Sequence, residues 1–269
     1  MSEILETMKE IRLALLGDTH FHHGVRGQAY TRHLKQVAES VNQAAVEAVL
    51  VAGDLTEHGE AGEASGMQEL LEVFRVPVLV VPGNHDVGNK VWPGRRDEAA
   101  QVTAARVAAY EKFWGQCPYA RNVAGLRVIG LNSQVLGSAL PQEEAQWQFL
   151  ETELATPDAP PTLVLQHLPP FLESPDEAGD PYWNIEPEPR KRLLALLTRG
   201  GVKGLLSGHL HRPLVSEYNG FICITTPPVS FGLPDGRQPE GWTLLHVSCC
   251  GDVQPEFVYL CPIKDRPGA

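Results

Sequence analysis

Five short polar clusters interrupt this chain, and each comes directly after an apolar run. The clusters are Asp18-Thr19-His20, Gly53-Asp54, Gly83-Asn84-His85-Asp86, His167 and Gly208-His209-Leu210-His211. A short apolar run that stops at Gly or Asp is typical of a buried strand that ends in a loop. Because ligands bind at the carboxyl ends of the strands in open α/β sheets, we expect these side chains to converge on one point.

The spacing between the clusters predicts a mixed α/β fold. Strands are expected at residues 11–16, 48–52, 77–81, 125–131, 162–166 and 202–207, and helices at 28–46, 63–74, 97–114, 141–154 and 188–199. The last part of the chain contains four short apolar runs, at residues 214–218, 221–226, 242–248 and 253–260, with the hairpin signal Asn219-Gly220 between the first two. These four runs predict an antiparallel second sheet. We expect two packed sheets with helices outside, in one domain over residues 11–262, with an extension at 1–10 and a tail at 263–269.

Composition excludes several classes of protein. The 269 residues are 43% hydrophobic and carry a net charge of −11, which argues against a nucleic-acid partner. The cluster Arg190-Lys191-Arg192 is expected to be a solvated helix face. No apolar run reaches the ~18 residues of a membrane span. The five cysteines include no CxxC pair, which predicts reduced thiols in a cytoplasmic protein.

Each polar cluster has an ordinary structural explanation when it is taken alone. Asp18 and Asp54 are residue types that cap the segment after a strand, and His20 or His167 alone is more often structural than a ligand. The set as a whole favours a different explanation. Five of the ten histidines lie in these clusters, and imidazole with carboxylate oxygen, without thiolate, suits hard or borderline divalent metals.

The ordered set Asp-x-His, Gly-Asp, Gly-Asn-His-Asp, His and Gly-His-x-His resembles the calcineurin-like metallophosphoesterase superfamily over residues 11–229. The resemblance implies a four-layer α/β/β/α sandwich of two mixed sheets flanked by helices, and it implies two divalent or trivalent metal ions, either Mn, Fe, Zn, Co or Ni. By that resemblance the first ion takes Asp18, His20 and His211, the second takes Asn84, His167 and His209, and Asp54 bridges them.

The chemistry of these residue types agrees with that assignment. A carboxylate has enough lone pairs to bridge two cations, whereas an imidazole nitrogen has one. A water between two metals becomes acidic and attacks phosphorus. His85 is then left for the leaving group, as a general acid or as a donor to the phosphate, with Asp86 orienting its ring. The alternative for Asp86 is an acceptor that stabilises the loop.

Further segments resemble one branch of the superfamily, the calcineurin-like phosphoesterase domain proteins that include the complete-S-transactivated-protein serine/threonine phosphatases. They are residues 83–89, 131–134, 166–169, 171–174 and 236–237. That branch tends to have Gln where this chain has His20. The stretch 55–59 also lacks the Arg with which major protein phosphatases clamp phosphate, so Asn84, His85 and Arg237 are the expected substrate contacts. The alternative for Arg237 is a surface turn.

We therefore expect a dinuclear metal-dependent phosphoric ester hydrolase, a phosphomonoesterase for a small molecule or for phosphoserine and phosphothreonine in a protein. A phosphodiesterase acting on a cyclic nucleotide or another diester is the alternative, and a metal-free binding protein on the same fold is a remote one. The long segment 168–187 is expected to be a functional loop. In it, Tyr182 and Trp183 either wall a substrate pocket or pin the loop to the core.

Overall fold

The computed structural model of the protein describes residues 10–90, 101–180, 182–234 and 237–260. The expected extension at 1–10, except its last residue, the tail at 263–269 and the first part of the helix expected at 97–114 lie outside the described residues. No helix within these ranges is both long enough and apolar enough to cross a membrane.

The chain order alternates strands and helices before it ends in two hairpins. The strands are β1 (Ile11–Leu16), β2 (Ala48–Val51), β3 (Val78–Val80), β4 (Tyr119–Val123), β5 (Leu126–Gly130), β6 (Thr162–Leu165), β7 (Gly204–Ser207), β8 (Leu214–Tyr218), β9 (Phe221–Thr225), β10 (Gly241–Val247) and β11 (Val253–Tyr259). The helices are α1 (Val25–Gln43), α2 (Ala61–Leu71), the single turn α3 (Asn84–Val87), α4 (Ala104–Trp114), α5 (Pro141–Leu154) and α6 (Pro187–Arg199), with a short 3₁₀ turn at Ser133–Val135.

The described strands form two mixed sheets, which confirms the expected fold class. The first sheet has the order β11-β10-β1-β2-β3, and the second has the order β4-β5-β6-β7-β9-β8. In the first sheet β1, β2 and β3 run parallel. In the second, β5, β6, β7 and β9 run parallel. The parallel strands therefore bring their carboxyl ends to one side of each sheet.

Two hydrophobic clusters separate the layers. One lies between the sheets and under α1, and it takes Leu163 and Leu165 from one face of β6. The other packs α5 and α6 against the outer face of the second sheet, and it takes Val164 from the opposite face of the same strand. Successive side chains of a strand point to opposite faces, so a run that is apolar at every position marks a strand with a core on both sides.

The final hairpins correct one prediction. They form as expected, but they do not make a sheet of their own. The first hairpin joins the second sheet, where β9 lies parallel to β7. The second hairpin joins the first sheet, where β10 lies antiparallel to β1. Alternation predicts a hairpin, but the sheet edge on which it docks depends on which strand still has unpaired backbone groups. The edge strand β4 was also absent from the sequence prediction.

Candidate metal centre

All seven predicted ligands lie just beyond strand ends, and all are buried. Asp18 and His20 follow β1, Asp54 follows β2, Asn84 begins α3 after β3, His167 follows β6, and His209 and His211 follow β7. The first four residues come from one sheet and the last three from the other. Their nearness is direct, because the Asp18 carboxylate accepts a hydrogen bond from the His209 backbone N–H at 2.9 Å.

The ligand atoms form two groups that share one carboxylate. Asp18, His20, Asp54 and His211 make one group, and Asp54, His167 and His209 make the other, with ligand atoms in each within 4.8 Å of one another. The Asp54 Oδ2 atom lies 3.5 Å from His20 Nε2 and 3.3 Å from His167 Nε2. The Asn84 Oδ1 atom lies 3.0 Å from His167 Nε2, which adds an amide oxygen to the second group. Asp54 is thus placed between the two groups, as a bridging ligand must be.

Two glycines make this close approach possible. A Cβ atom at Gly83 would lie 2.1 Å from Asp54 Oδ1, and one at Gly53 would lie 2.7 Å from His167 Nδ1. Gly53 also has a positive φ of 83°, a conformation that glycine adopts without steric cost. Space therefore requires glycine at both positions, and turn geometry requires it at Gly53 as well.

Each of the four histidines has one ring nitrogen held by a protein acceptor outside the ligand groups. His20 Nδ1 donates to Glu57 Oε2 (2.8 Å), His167 Nδ1 to the Ala52 carbonyl (2.7 Å), His209 Nε2 to the Tyr182 carbonyl (2.7 Å) and His211 Nδ1 to the Phe231 carbonyl (2.6 Å). A ligating histidine almost always uses its second nitrogen in this way, which fixes the tautomer. The opposite nitrogen of each ring is then the one that points into the centre.

The inward nitrogens give the test of whether these residues fit a metal. His20 Nε2 and His211 Nε2 lie 3.1 Å apart, as do His209 Nδ1 and His167 Nε2. When the rings are neutral and carry their protons on the outer nitrogens, these pairs bring lone pair against lone pair, an arrangement that a cation between them stabilises. Nitrogen and oxygen donors without thiolate fit manganese, iron, zinc, cobalt or nickel. The residues present therefore fit the two ions that the sequence implies.

The close approach of these buried side chains shifts their pKa values. Burial alone raises the pKa of Asp54, but His167 and His85 lower it well below its ordinary value. Burial lowers the pKa of His167, but the Asp54 carboxylate outweighs burial and raises this pKa to about 9. Burial and the neighbouring His167 lower the pKa of His209 well below its ordinary value. A proton shared by Asp54 and His167 thus competes for the position that a cation takes.

Five of the seven predicted ligands have a left-handed backbone. Their φ angles are 56° at Asp18, 47° at His20, 50° at Asp54, 73° at His209 and 51° at His211. For a residue other than glycine this region costs about 1–2 kcal/mol, and such outliers gather at functional sites. The conformation reverses the chain within a residue or two of the strand end, and it keeps both ligands of each Asp-x-His or His-x-His motif at the centre.

His85 lies at the edge of this cluster and is partly exposed. Its backbone N–H donates to Asp54 Oδ1 at 2.9 Å, and its Nδ1 donates to the Glu57 carbonyl at 2.8 Å. Its ring lies edge-on to the His20 ring, with centroids 4.5 Å apart. Nδ1 is therefore taken, and Nε2 is the nitrogen left for another partner.

The prediction that Asp86 orients His85 is wrong. The Asp86 carboxylate accepts instead from the backbone N–H groups of Leu55, Thr56 and Gly83 and from the Thr56 hydroxyl, at 2.8–3.1 Å. Asp86 is the third residue of the helical turn that begins after Gly83, and its carboxylate accepts from the backbone N–H of that glycine, the half of a capping box that a glycine allows. It ties the loop that carries Asp54 to the loop that carries Asn84, as in the alternative explanation.

Glu57 is a member of the site that the sequence prediction missed. Its carboxylate lies 2.8 Å from His20 Nδ1 and 3.8 Å from His85 Nδ1, so it contacts one predicted ligand and the predicted general acid. It occupies the stretch where the major protein phosphatases carry an arginine. The available signal was chemical, because a buried ligating histidine such as His20 needs an acceptor for its second nitrogen.

The remaining predicted residues fall in two places. The Arg237 side chain is exposed, its backbone N–H donates to the Pro234 carbonyl, and within the described residues no contact joins it to the ligand groups. Tyr182 and Trp183 both reach the centre, with ring centroids 5.1 and 5.7 Å from that of His209. The predicted solvated face at 190–192 is wrong for Arg190, which is fully buried and donates to the Glu177 carbonyl in the segment 168–187.

Comparison with known proteins agrees with this geometry. A family model described as calcineurin-like phosphoesterase matches residues 11–213. The chain belongs to the calcineurin-like phosphoesterase family. The match includes all seven predicted ligands together with Glu57 and His85, and it confirms the superfamily resemblance of the sequence motifs.

Two kinds of curated protein resemble this phosphoesterase. The serine/threonine-protein phosphatase CPPED1 of Homo sapiens is 29% identical over 71% of this chain and 60% of its own length, and that of Danio rerio is 31% identical over 75% and 66%. The chain thus spans about 60% of the length of the first of these relatives. The 3',5'-cyclic adenosine monophosphate phosphodiesterase CpdA of Escherichia coli is 25% identical over 96% of this chain and 92% of its own length.

Solved structures of low sequence identity share the fold of the phosphoesterase. The purple acid phosphatase PPD1 of yellow lupin superposes with a TM-score of 0.64 at 16% identity, over 96% of this chain and 52% of that chain. A dimetal phosphatase of Danio rerio superposes with a TM-score of 0.58 at 14% identity, over 93% and 99%. Both confirm the two-sheet architecture flanked by helices.

Proposed function

We propose that this chain is a dinuclear phosphomonoesterase that hydrolyses small phosphate esters or phosphoserine and phosphothreonine. The observation that carries the proposal is the pair of ligand groups that share Asp54, with one ring nitrogen of each histidine facing inward from both sides. Asp18, His20 and His211 are the proposed ligands of one ion, and Asn84, His167 and His209 those of the other. Similarity to phosphatases named CPPED1 supports the monoester and phosphoprotein assignment.

The ligand set is suited to an anionic substrate. When bound, two divalent ions supply positive charge to the phosphate oxygens and acidify a water at the site. The chain offsets little of that charge, because only Asp18 and Asp54 among the seven ligands are carboxylates, and Asn84 contributes a neutral oxygen. A phosphate dianion is thus attracted to the centre although the chain as a whole carries −11.

His85 is the proposed proton donor to the leaving oxygen. Its Nδ1 is held by the Glu57 carbonyl, which orients the ring and leaves Nε2 for the substrate. A general acid matters most for esters whose leaving group is a poor one. Replacement of His85 is therefore expected to slow an alkyl phosphate far more than an activated aryl phosphate, and equal losses on both would contradict the role.

The decisive experiment is a substrate panel with controlled metal content. The protein is stripped with a chelator, reloaded with Mn, Fe, Zn, Co or Ni, and assayed on phosphomonoesters and phosphodiesters. We expect hydrolysis to require added metal and to favour monoesters. Absence of bound metal together with absence of metal-stimulated hydrolysis of an aryl phosphate would sink the proposal in favour of a metal-free binding protein.

A phosphodiesterase is the second candidate, and one observation favours it. The similarity to CpdA extends over 96% of this chain and 92% of that protein, whereas the CPPED1 similarity covers a smaller share of both. A higher kcat/KM for bis-aryl phosphate or cyclic AMP than for the matching monoester would select this candidate. We further propose a reducing, cytoplasmic location, which the buried thiols Cys117 and Cys223 support, since burial raises the pKa of both.

A further inference from the structure

A cleft of about 410 Å³ lies directly beside the ligand groups. Its walls come from the segment 168–187, from the strand-end turn that carries two ligands and from the loop before β10. They are Leu172, Trp183, Leu210, Arg212, Leu233 and Pro234. The volume falls within the range of about 300–1,000 Å³ that is usual for small-molecule sites.

Three residues of the cleft wall adjoin or contact the predicted ligands His209 and His211. Leu210 lies between His209 and His211 in the chain. Leu233 donates its backbone N–H to the His211 carbonyl at 3.0 Å. The Trp183 ring lies 5.7 Å from the His209 ring, centroid to centroid. The cleft thus adjoins the turn that carries His209 and His211 and the segment that contacts His209.

The walls offer two kinds of contact. Leucine, proline and indole surfaces make most of the lining apolar, and the Trp183 ring provides a flat π surface on which an aromatic ring can stack. Arg212 is the charged member of the wall. Its guanidinium is half-buried and makes no hydrogen bond or ion pair with any other residue of the ranges 10–90, 101–180, 182–234 and 237–260. Its donors are therefore available for an anion, which a guanidinium binds through paired N–H groups.

We propose that this cleft binds the organic part of the ester substrate, and that it selects a flat apolar ring through Trp183 and a second anionic group through Arg212. The substrate class is a small organic phosphate that carries an aromatic ring and one further negative charge. This inference rests on the proposed function for the position of the phosphate. Arg212 is then the arginine that contacts the substrate, through its second anionic group. The sequence motifs alone predict an arginine contact from Arg237.

The test measures selectivity, which a merely structural role would leave unchanged. The substrates are glycerol 2-phosphate, phenyl phosphate and the three isomeric carboxyphenyl phosphates. In Trp183→Ala the kcat/KM ratio of phenyl phosphate to glycerol 2-phosphate is expected to fall about tenfold, the size of one lost stacking contact. In Arg212→Gln the ratio of the best carboxyphenyl phosphate to phenyl phosphate is expected to fall about tenfold.

Matched variants separate the contact from general damage. Trp183→Phe keeps a flat ring, so it is expected to retain most of the selectivity that Trp183→Ala loses. Arg212→Lys keeps a charge, so it is expected to retain most of the selectivity that Arg212→Gln loses. Arg121→Gln removes the same charge from the exposed edge strand β4 and is expected to leave all ratios unchanged. Unchanged ratios in both Trp183→Ala and Arg212→Gln would overturn the inference, as would equal losses in Arg121→Gln.

A binding measurement distinguishes failure of the inference from failure of the proposed function. Naphthalene-2-sulfonate has a flat ring and an anion but no phosphoester, and its binding to chelator-stripped protein is measured by calorimetry. We expect at least fivefold weaker binding in Trp183→Ala and in Arg212→Gln than in the unaltered chain. Variant-sensitive binding without hydrolysis of any ester would leave the cleft assigned and the phosphatase proposal rejected. Normal hydrolysis together with sulfonate binding that neither variant changes would support the phosphatase proposal and reject the assignment of the cleft.

Discussion

The two halves of the ligand cluster are similar in composition but differ in what holds their histidines. In the first half, the acceptor behind His20 is the side chain of Glu57, which is 28% exposed. In the second half, the acceptor behind His167 is the backbone carbonyl of Ala52, at the buried end of β2. The outer nitrogens of His209 and His211 donate to backbone carbonyls in loops, those of Tyr182 and Phe231.

This difference shows which half a substitution can adjust. A backbone carbonyl stays in place whatever residue carries it, so the orientation of His167 is built into the end of the sheet. A carboxylate can be removed by one substitution, and Glu57 is also near His85. The first half is therefore the half whose metal affinity the sequence can tune without altering the fold.

The strongest test of the shared bridge is Asp54→Asn. An amide keeps the shape and the hydrogen bond from the His85 backbone, but it removes the negative charge between the two halves. Loss of an outer partner alone costs about 10–100-fold in metal affinity or activity, so we expect kcat/KM to fall by at least about a hundredfold. Metal content per chain should fall in both halves. Two ions per chain with near-normal turnover would reject the bridge.

The comparison between the halves is tested next by Glu57→Ala. We expect the first half to lose about 10–100-fold in metal affinity and the second half to change little. The measurement is a two-site competition titration with a chromogenic chelator. Glu256→Ala is the matched control, because it removes an exposed carboxylate from a partly exposed histidine, His246, that lies outside the ligand groups. Equal weakening of both sites would contradict the difference described above.

The pH dependence of metal binding should be dominated by the second half. The pKa of His167 is raised to about 9, so its ring is protonated at neutral pH in the metal-free chain, whereas a ligand must be neutral. Affinity is therefore lost as the pH falls below 9, by up to about tenfold per pH unit for one displaced proton. Calorimetry at pH 7 in buffers of different ionisation enthalpy should show about one proton released. Binding without proton release would mean that His167 is not a ligand.

The smallest effect is expected from Lys90→Met, which acts at a distance. The buried Lys90 ammonium donates to the Asn184 carbonyl and to Glu186 (2.9 Å), and so holds the segment whose Tyr182 carbonyl orients His209. Loss of these charged hydrogen bonds should cost about 1.5–3 kcal/mol of the free energy of unfolding and weaken the second half severalfold. Urea unfolding and the chelator titration measure the two effects.

Arg192→Met is the control for the loop variant. Its ion pairs with Glu144 and Glu151 lie on the surface, and pairs of that kind contribute about 0–1 kcal/mol. A loss of stability in the control as large as that in Lys90→Met would show that the Lys90 effect is not specific to the loop.

The strand ends and the position of the proposed ligands beyond them were predictable from the sequence, because an apolar run followed by a polar cluster is a local pattern. The partners of those ligands were not. Glu57, Ala52, Tyr182 and Phe231 lie far from their histidines in the chain, and only the folded chain brings them together. Asp86 is an exception, since Gly83 followed by Asp86 at the third helical position is a local capping signal that was available. The docking of the final hairpins depends on sheet edges, which no local pattern specifies.

The left-handed backbone at five of the ligands sets stability and function against each other. Glycine relaxes such a conformation, and glycine at Asp18, His20 or His211 would remove a predicted ligand. A lineage of this fold that is released from catalysis should therefore gain stability as it loses its metals. Substitutions that relax the backbone at these positions therefore stabilise the fold and abolish the centre. Active members of the family keep the less stable residues because selection for activity retains them.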